Sequence, residues 1–146
     1  DSLFHAIVDN SEIKPAVMQI ELHPYAQRKY WQDMAKKYNI QMECWFPLGG
    51  EMSNGALLKD PTIQAIAKAH GKTPAQVIIR WHIQEGFSVI PGATRHDYIK
   101  ENISVFDFSL TDKEMAQMRS LNKEKRFFNM DYKQAEQFVL NWKMDD

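Results

Sequence analysis

From Ala16 to His23 the side chains alternate: Met18, Ile20 and Leu22 fall on one face, and Val17, Gln19, Glu21 and His23 on the other. A period of two predicts a strand. Ile40–Pro47 repeats the pattern, with Ile40, Met42, Cys44 and Phe46 on one side and Gln41, Glu43 and Trp45 on the other. Between them, HPYAQRKYWQDMAKKYN spaces Tyr30, Met34 and Tyr38 along one stripe, which predicts an amphipathic helix. Ahead of the first strand, LFHAIVDN (3–10) reads as the close of a helix, which Pro15 keeps from continuing.

Downstream, GGEMSNG is a glycine-bearing loop. Asp60 before Pro61 opens a helix that closes on Gly71, and Thr73 before Pro74 opens another that closes on Gly86. FSVIP predicts a short third strand. Thr94 is placed to cap the helix containing HDYIKEN, and Thr111 with Glu114 forms a capping box before MAQMRSLN. The tail combines a helical stretch with many aromatics. Strand–helix alternation implies parallel strands joined by helical crossovers, in either a doubly wound sheet or a (β/α) barrel. The polar faces favour the barrel. Parallel strands covered on both sides are nearly all apolar, whereas a barrel's inward face turns polar toward the C-terminal mouth. Gln19, Glu21, His23, Glu43 and Trp45 would then look into that mouth.

Composition narrows the function. The 146 residues are 44% hydrophobic and 25% charged, as in an ordinary globular domain, and no break suggests a second one. A net charge of −1 argues against nucleic acid or an anionic membrane as partner. No apolar run approaches the roughly 20 residues that cross a bilayer. The single cysteine excludes an internal disulfide framework and suits a reducing, cytoplasmic setting. Cys44 shares the outward face with Met42, with no cationic neighbour to activate it, and is read as a core residue. His23 and Glu21 share a face, but no HExxH and no second histidine at ligand spacing supports a metal site. His70, His82 and His96 fall on helices without visible partners.

The stretches PAVMQIELHPY, WFPLGG, LLKDPTIQAIAKAHGKTPAQVIIRW, SVIPGATRHDYIKENISVFDFSLTDKEM and FNMDY together resemble the C-terminal half of the aldo-keto reductases, in register from about Ile13 to Leu121. Within that family the pattern resembles the bacterial branch related to 2,5-diketo-gluconate reductases. The resemblance implies an α/β fold, the C-terminal part of a (β/α)8 TIM barrel with about three parallel strands and the barrel incomplete. It also implies a single partial domain over 1–146 with a tail from about 122, and a nicotinamide cofactor, NADP(H) or NAD(H), used to reduce a small-molecule carbonyl substrate.

By the same resemblance, Trp45 stacks on the nicotinamide ring, a contact of about 0.5–1.5 kcal/mol beyond area burial, and directs the hydride. The alternative is a tryptophan plugging the core. Gln19 corresponds to the glutamine that hydrogen-bonds the nicotinamide carboxamide; the alternative is a buried amide satisfied by neighbours. Phe46, Pro47, Leu48 and Gly49 match backbone lining the pyrophosphate, although Phe46 stands where the family has a small polar residue, so a hydroxyl contact is lost. The Gly49–Gly55 loop either folds over the cofactor or is a solvated connection. Gly92, Ala93, Thr94, Tyr98, Glu101 and Asn102 lie in the stretch for the adenosine end, where a helix N-terminus offers backbone N–H groups. Glu101 and Asn102 match adenine contacts. Gly92 and Tyr98 replace the lysine and arginine that grip the 2′-phosphate, so dual or NADH-leaning specificity is expected, with Arg95, His96 or Lys100 as substitute cations or as a solvated face.

The family's catalytic tyrosine, aspartate, lysine and histidine match nothing in this sequence and are expected on earlier strands of a missing N-terminal half. No catalytic residue is assigned here. The chain alone is expected to bind part of a dinucleotide and to self-associate through strand edges. The rival expectation is a truncated, non-catalytic half-barrel acting as an oligomerising or interaction module. Phe127, Phe128, Tyr132 and Trp142 either line a substrate pocket or pack the tail against the barrel wall.

Overall fold

In the computed structural model, which describes residues 2–141, helix α1 (Ser2–Asn10) precedes β1 (Val17–Glu21), α2 (Lys29–Tyr38) and β2 (Gln41–Trp45). A 3-10 turn (Glu51–Ser53) then leads to α3 (Pro61–His70), α4 (Pro74–Gln84) and β3 (Ser88–Val89). The helices α5 (His96–Ile103), α6 (Asp112–Ser120) and α7 (Tyr132–Leu140) follow. Trp142 lies outside the described residues. The strands form one parallel sheet in the order β1-β2-β3, as the alternation required.

Local chemistry sets most boundaries. Asp60 caps α3 by accepting from Thr62 N at 2.9 Å and Ile63 N at 3.2 Å, Pro61 opens the helix, and Gly71 closes it at φ 62°. Thr73 and Gln76 form a reciprocal capping box at α4, as Thr111 and Glu114 do at α6. Such caps contribute about 0.5–2 kcal/mol each.

Two boundaries differ from expectation. The helix after β1 begins only at Lys29, because His23 and Ala26 first close a tight antiparallel bridge and Arg28 turns left-handed at φ 56°. Its buried stripe is therefore Trp31, Ala35 and Tyr38, while Tyr30 is exposed. At α5, Arg95 rather than Thr94 occupies the cap position, with no side-chain hydrogen bond.

The core lies between the outward face of the sheet and the helices. Leu22, Met42 and Cys44 meet Ile63, Ile66, Val77, Ile78, Trp81 and Met118 there. Each fully buried aliphatic or aromatic side chain contributes roughly 1.5–3 kcal/mol. Cys44 is wholly buried, and burial pushes its thiol up to about 12, which makes it a core residue without nucleophilic character at neutral pH.

Candidate functional site

The register of the sheet aligns the polar face. Gln19 pairs with Glu43 and Glu21 with Trp45 across β1 and β2, and Glu43 pairs with Ser88 across β2 and β3. Gln19 Nε2 donates to Glu43 Oε1 at 2.7 Å, so these two side chains share a face. Trp45, two residues beyond Glu43, shares it by the alternation of the strand. The face opposite the core thus carries an amide, a carboxylate and an indole within one register step of each other.

Beyond Trp45 the alternation breaks. Phe46 has φ 54°, a left-handed conformation that is an outlier for a bulky residue and costs on the order of 1–3 kcal/mol. The expectation that Phe46 lies outward with Cys44 is therefore corrected. Its ring stands 4.6 Å from Trp45, nearly perpendicular, and 6.1 Å from Phe128. The same ring lies so close over Gly50 that a Cβ there would collide with it. The Gly49–Gly55 loop folds back on this ring and on Ser53, which is buried and donates to Gly50 O at 2.8 Å.

Trp45, Phe46, Pro47, Leu48 and Gly50 line a cleft of about 310 Å³ whose opposite wall is Ile90, Pro91 and Gly92. Two stretches 40 residues apart in sequence meet here because β2 and β3 are neighbours. A second cavity, about 270 Å³, adjoins at Pro91 and is lined by Ala93, Asn102 and apolar side chains including Ile99, Ile103 and Phe106. Pro91 is the one lining residue the two cavities have in common.

The other adenosine-end candidates are placed differently. Glu101 accepts from Thr73 Oγ1 at 2.5 Å, which commits its carboxylate to the start of α4. Thr94 is exposed. Tyr98 is half exposed, with the Arg95 guanidinium 4.5 Å from its ring centre and Arg95 Nη1 donating to its hydroxyl at 3.2 Å. A cation therefore stands over the position where the sequence has none.

Glu21 and His23 acquire partners that sequence reading missed. Glu21 Oε1 accepts from Phe127 N at 2.6 Å and Phe128 N at 3.1 Å, and lies 3.2 Å from His23 Nε2. The clasp draws the tail across the polar face: Phe127 stacks on His23 at 4.7 Å and Phe128 meets Trp45 edge-to-face at 5.2 Å. His70 and His82 also have partners, contrary to expectation. His70 Nε2 is 2.9 Å from Glu114 Oε1, and the wholly buried His82 contacts the carbonyls of Ile78 (2.7 Å) and Leu22 (3.1 Å). The His70–Glu114 and His82–Leu22 pairings span 44 and 60 residues, beyond any local signal. Among the described residues no group of three or more His, Cys, Asp or Glu could hold a metal, and no helix is long and apolar enough to cross a membrane.

Residues 3–123 match the model of the Aldo/keto reductase family, and the chain belongs to that family. It is 45% identical over 115 residues to 9,11-endoperoxide prostaglandin H2 reductase from Trypanosoma cruzi, covering 79% of this chain and 40% of the relative. It is 42% identical over 125 residues to morphine 6-dehydrogenase from Pseudomonas putida, covering 80% and 42%. Among solved structures, an aldo-keto reductase from a Medee basin deep-sea metagenome library superposes with a TM-score of 0.83 at 37% identity, over 90% of this chain and 50% of that one. A Gox0644 variant in complex with NADPH superposes with a TM-score of 0.77 at 39% identity, over 83% and 43%. The chain thus spans about 40% of the length of the curated relatives it matches. Its three-stranded sheet with flanking helices is part of a (β/α)8 barrel.

Proposed function

We propose that this chain is the cofactor-binding half of an NAD(P)H-dependent reductase that converts aldehydes or ketones to alcohols. The carrying observation is a pair of cavities on either side of Pro91, one lined by Trp45 and Gly92 and the other by Ala93 and Asn102, with Gln19 on the same strand face as Trp45. Their chemistry suits a nicotinamide dinucleotide: a flat indole for the ring, an amide for the carboxamide, and an open approach at Gly92, where a Cβ would meet nothing within 4 Å. The cofactor, when bound, supplies the hydride. Gln19 orients its carboxamide, Trp45 covers one face of the ring, and Phe46 to Gly49 with Gly92 and Ala93 line the pyrophosphate path. Asn102 receives the adenine end, where Thr94 and Glu101 are the weaker members of the set. Arg95, held over Tyr98, supplies the charge for a 2′-phosphate, which supports use of NADP(H) with NAD(H) also accepted.

On this reading the catalytic tyrosine, aspartate, lysine and histidine come from barrel strands outside this sequence, the chain forms one partial domain with a tail from about residue 122, and the protein acts in the cytoplasm on small carbonyl compounds. The test is an NADPH titration followed by tryptophan fluorescence. Trp45→Ala should remove most of the quenching and weaken binding by about two- to tenfold. Unchanged affinity in that variant would refute the reading.

A second reading, a non-catalytic module that assembles through its sheet, draws on the open edges of β1 and β3 and on the exposed Ile99, Ile103 and Phe106. Loss of NADPH binding together with stable self-association would favour it.

A further inference from the structure

Glu43 stands at the middle of a polar row that crosses all three strands at one level. Gln19 is its partner in β1 and Ser88 its partner in β3. Its two carboxylate oxygens are divided between them: Oε1 accepts from Gln19 Nε2 at 2.7 Å, and Oε2 accepts from Ser88 Oγ at 3.2 Å. The carboxylate is thereby held from the β3 side while it holds the amide on the β1 side.

A primary amide has two ends of nearly equal size and opposite function, one donating and one accepting. Turned by half a rotation, Gln19 would set its oxygen against a carboxylate oxygen, two acceptors in contact. An acceptor-only partner therefore permits a single orientation. One N–H of Nε2 is spent on Glu43, and Oε1, held on the opposite side of the amide, is the acceptor left for a ligand.

We infer that Glu43 is a positioning residue for the proposed hydride transfer: it fixes the orientation of the Gln19 amide so that Oε1 is the atom that takes the N–H of the cofactor's carboxamide. This rests on the cofactor-binding reading above. Without Glu43, the Gln19 amide would serve either end of the carboxamide and admit that group rotated by half a turn about its bond to the ring. Glu43 precedes Trp45 by two residues on the same face of β2, so the group that sets the rotation of the carboxamide and the group that covers the ring ride on one strand.

The test uses two cofactors: NADPH, and the reduced 3-acetylpyridine analogue, which carries a methyl where the carboxamide has its NH2. Dissociation constants of the protein for both are measured by calorimetry, with no turnover required. The unsubstituted protein should favour NADPH over the analogue by about tenfold, the worth of one hydrogen bond to a fixed acceptor. Glu43→Gln keeps the size but accepts either amide orientation, and should erase most of that preference by weakening NADPH binding while leaving the analogue nearly unchanged. Ser88→Ala, a milder change that keeps the carboxylate, should erase part of it. If Glu43→Gln weakens both cofactors equally, or neither, while the unsubstituted protein still prefers NADPH, the positioning role is overturned and the cofactor-binding reading stands. If the unsubstituted protein binds neither cofactor, both fall together.

Discussion

Glu21 shows how one side chain acquires its character from distant parts of the chain. It is 4% exposed, and burial pushes its carboxyl up; the hydrogen bonds from His23, Phe127 N and Phe128 N outweigh that and bring it below the usual carboxylate range. His82 is displaced in the same direction. Burial takes it from 6.5 down to about 4, against the carbonyls of Ile78 and Leu22, which favour the protonated ring. Both groups have a folded pKa below the unfolded one, so the unfolded chain binds the proton more readily and stability is lost on acidification. For His82 the contribution is complete above about pH 6.5 and falls away between there and about pH 4, on the order of 3 kcal/mol in all. The midpoint of urea unfolding should therefore drop steeply between pH 7 and pH 4.5, and His82→Gln should flatten that dependence. An equally steep curve in the variant would remove His82 from the account.

At the scale of elements, Asp60 joins two functions in one carboxylate. Oδ1 caps α3 through Thr62 N and Ile63 N, and Oδ2 accepts from the Tyr25 hydroxyl at 2.6 Å. Burial, then the neighbouring Asp60, holds that hydroxyl protonated up to about 12. Asp60→Ala removes the cap and leaves a buried hydroxyl without its acceptor, a loss of about 1–3 kcal/mol. Asp60→Asn keeps a capping oxygen and should lose less; chemical denaturation of the two variants ranks them. The cap itself was legible, because Asp60–Pro61, Thr73–Pro74 and Thr111 with Glu114 act within four residues. The late start of α2 was not. It depends on the His23–Ala26 bridge and on the Tyr25 carbonyl accepting from Lys123 N and Lys125 N at 3.0 Å, nearly a hundred residues on.

For the whole molecule, the sheet is the decisive feature. Among the described residues β1 and β3 each pair on one side only, which leaves backbone donors and acceptors ready for another strand. The apolar side chains Ile99, Ile103 and Phe106 lie exposed near the β3 side. Light scattering of the 146-residue chain should accordingly show association that increases with concentration. A monodisperse monomer with one cooperative unfolding transition would contradict this. The same openness explains why Gln19 is exposed although it sits in a row of paired polar groups.

The sequence by itself determined that the strands run parallel, the two faces of β1 and β2, and the openings of α3, α4 and α6. Periodicity and caps are interactions between near neighbours, and they are written where they act. The tertiary structure alone decided that Gln19 is locked by Glu43, that Phe46 turns toward Trp45, and that the tail is clasped by Glu21. Register, a left-handed residue and a long-range loop place those groups, and none of these is a property of a short stretch of chain.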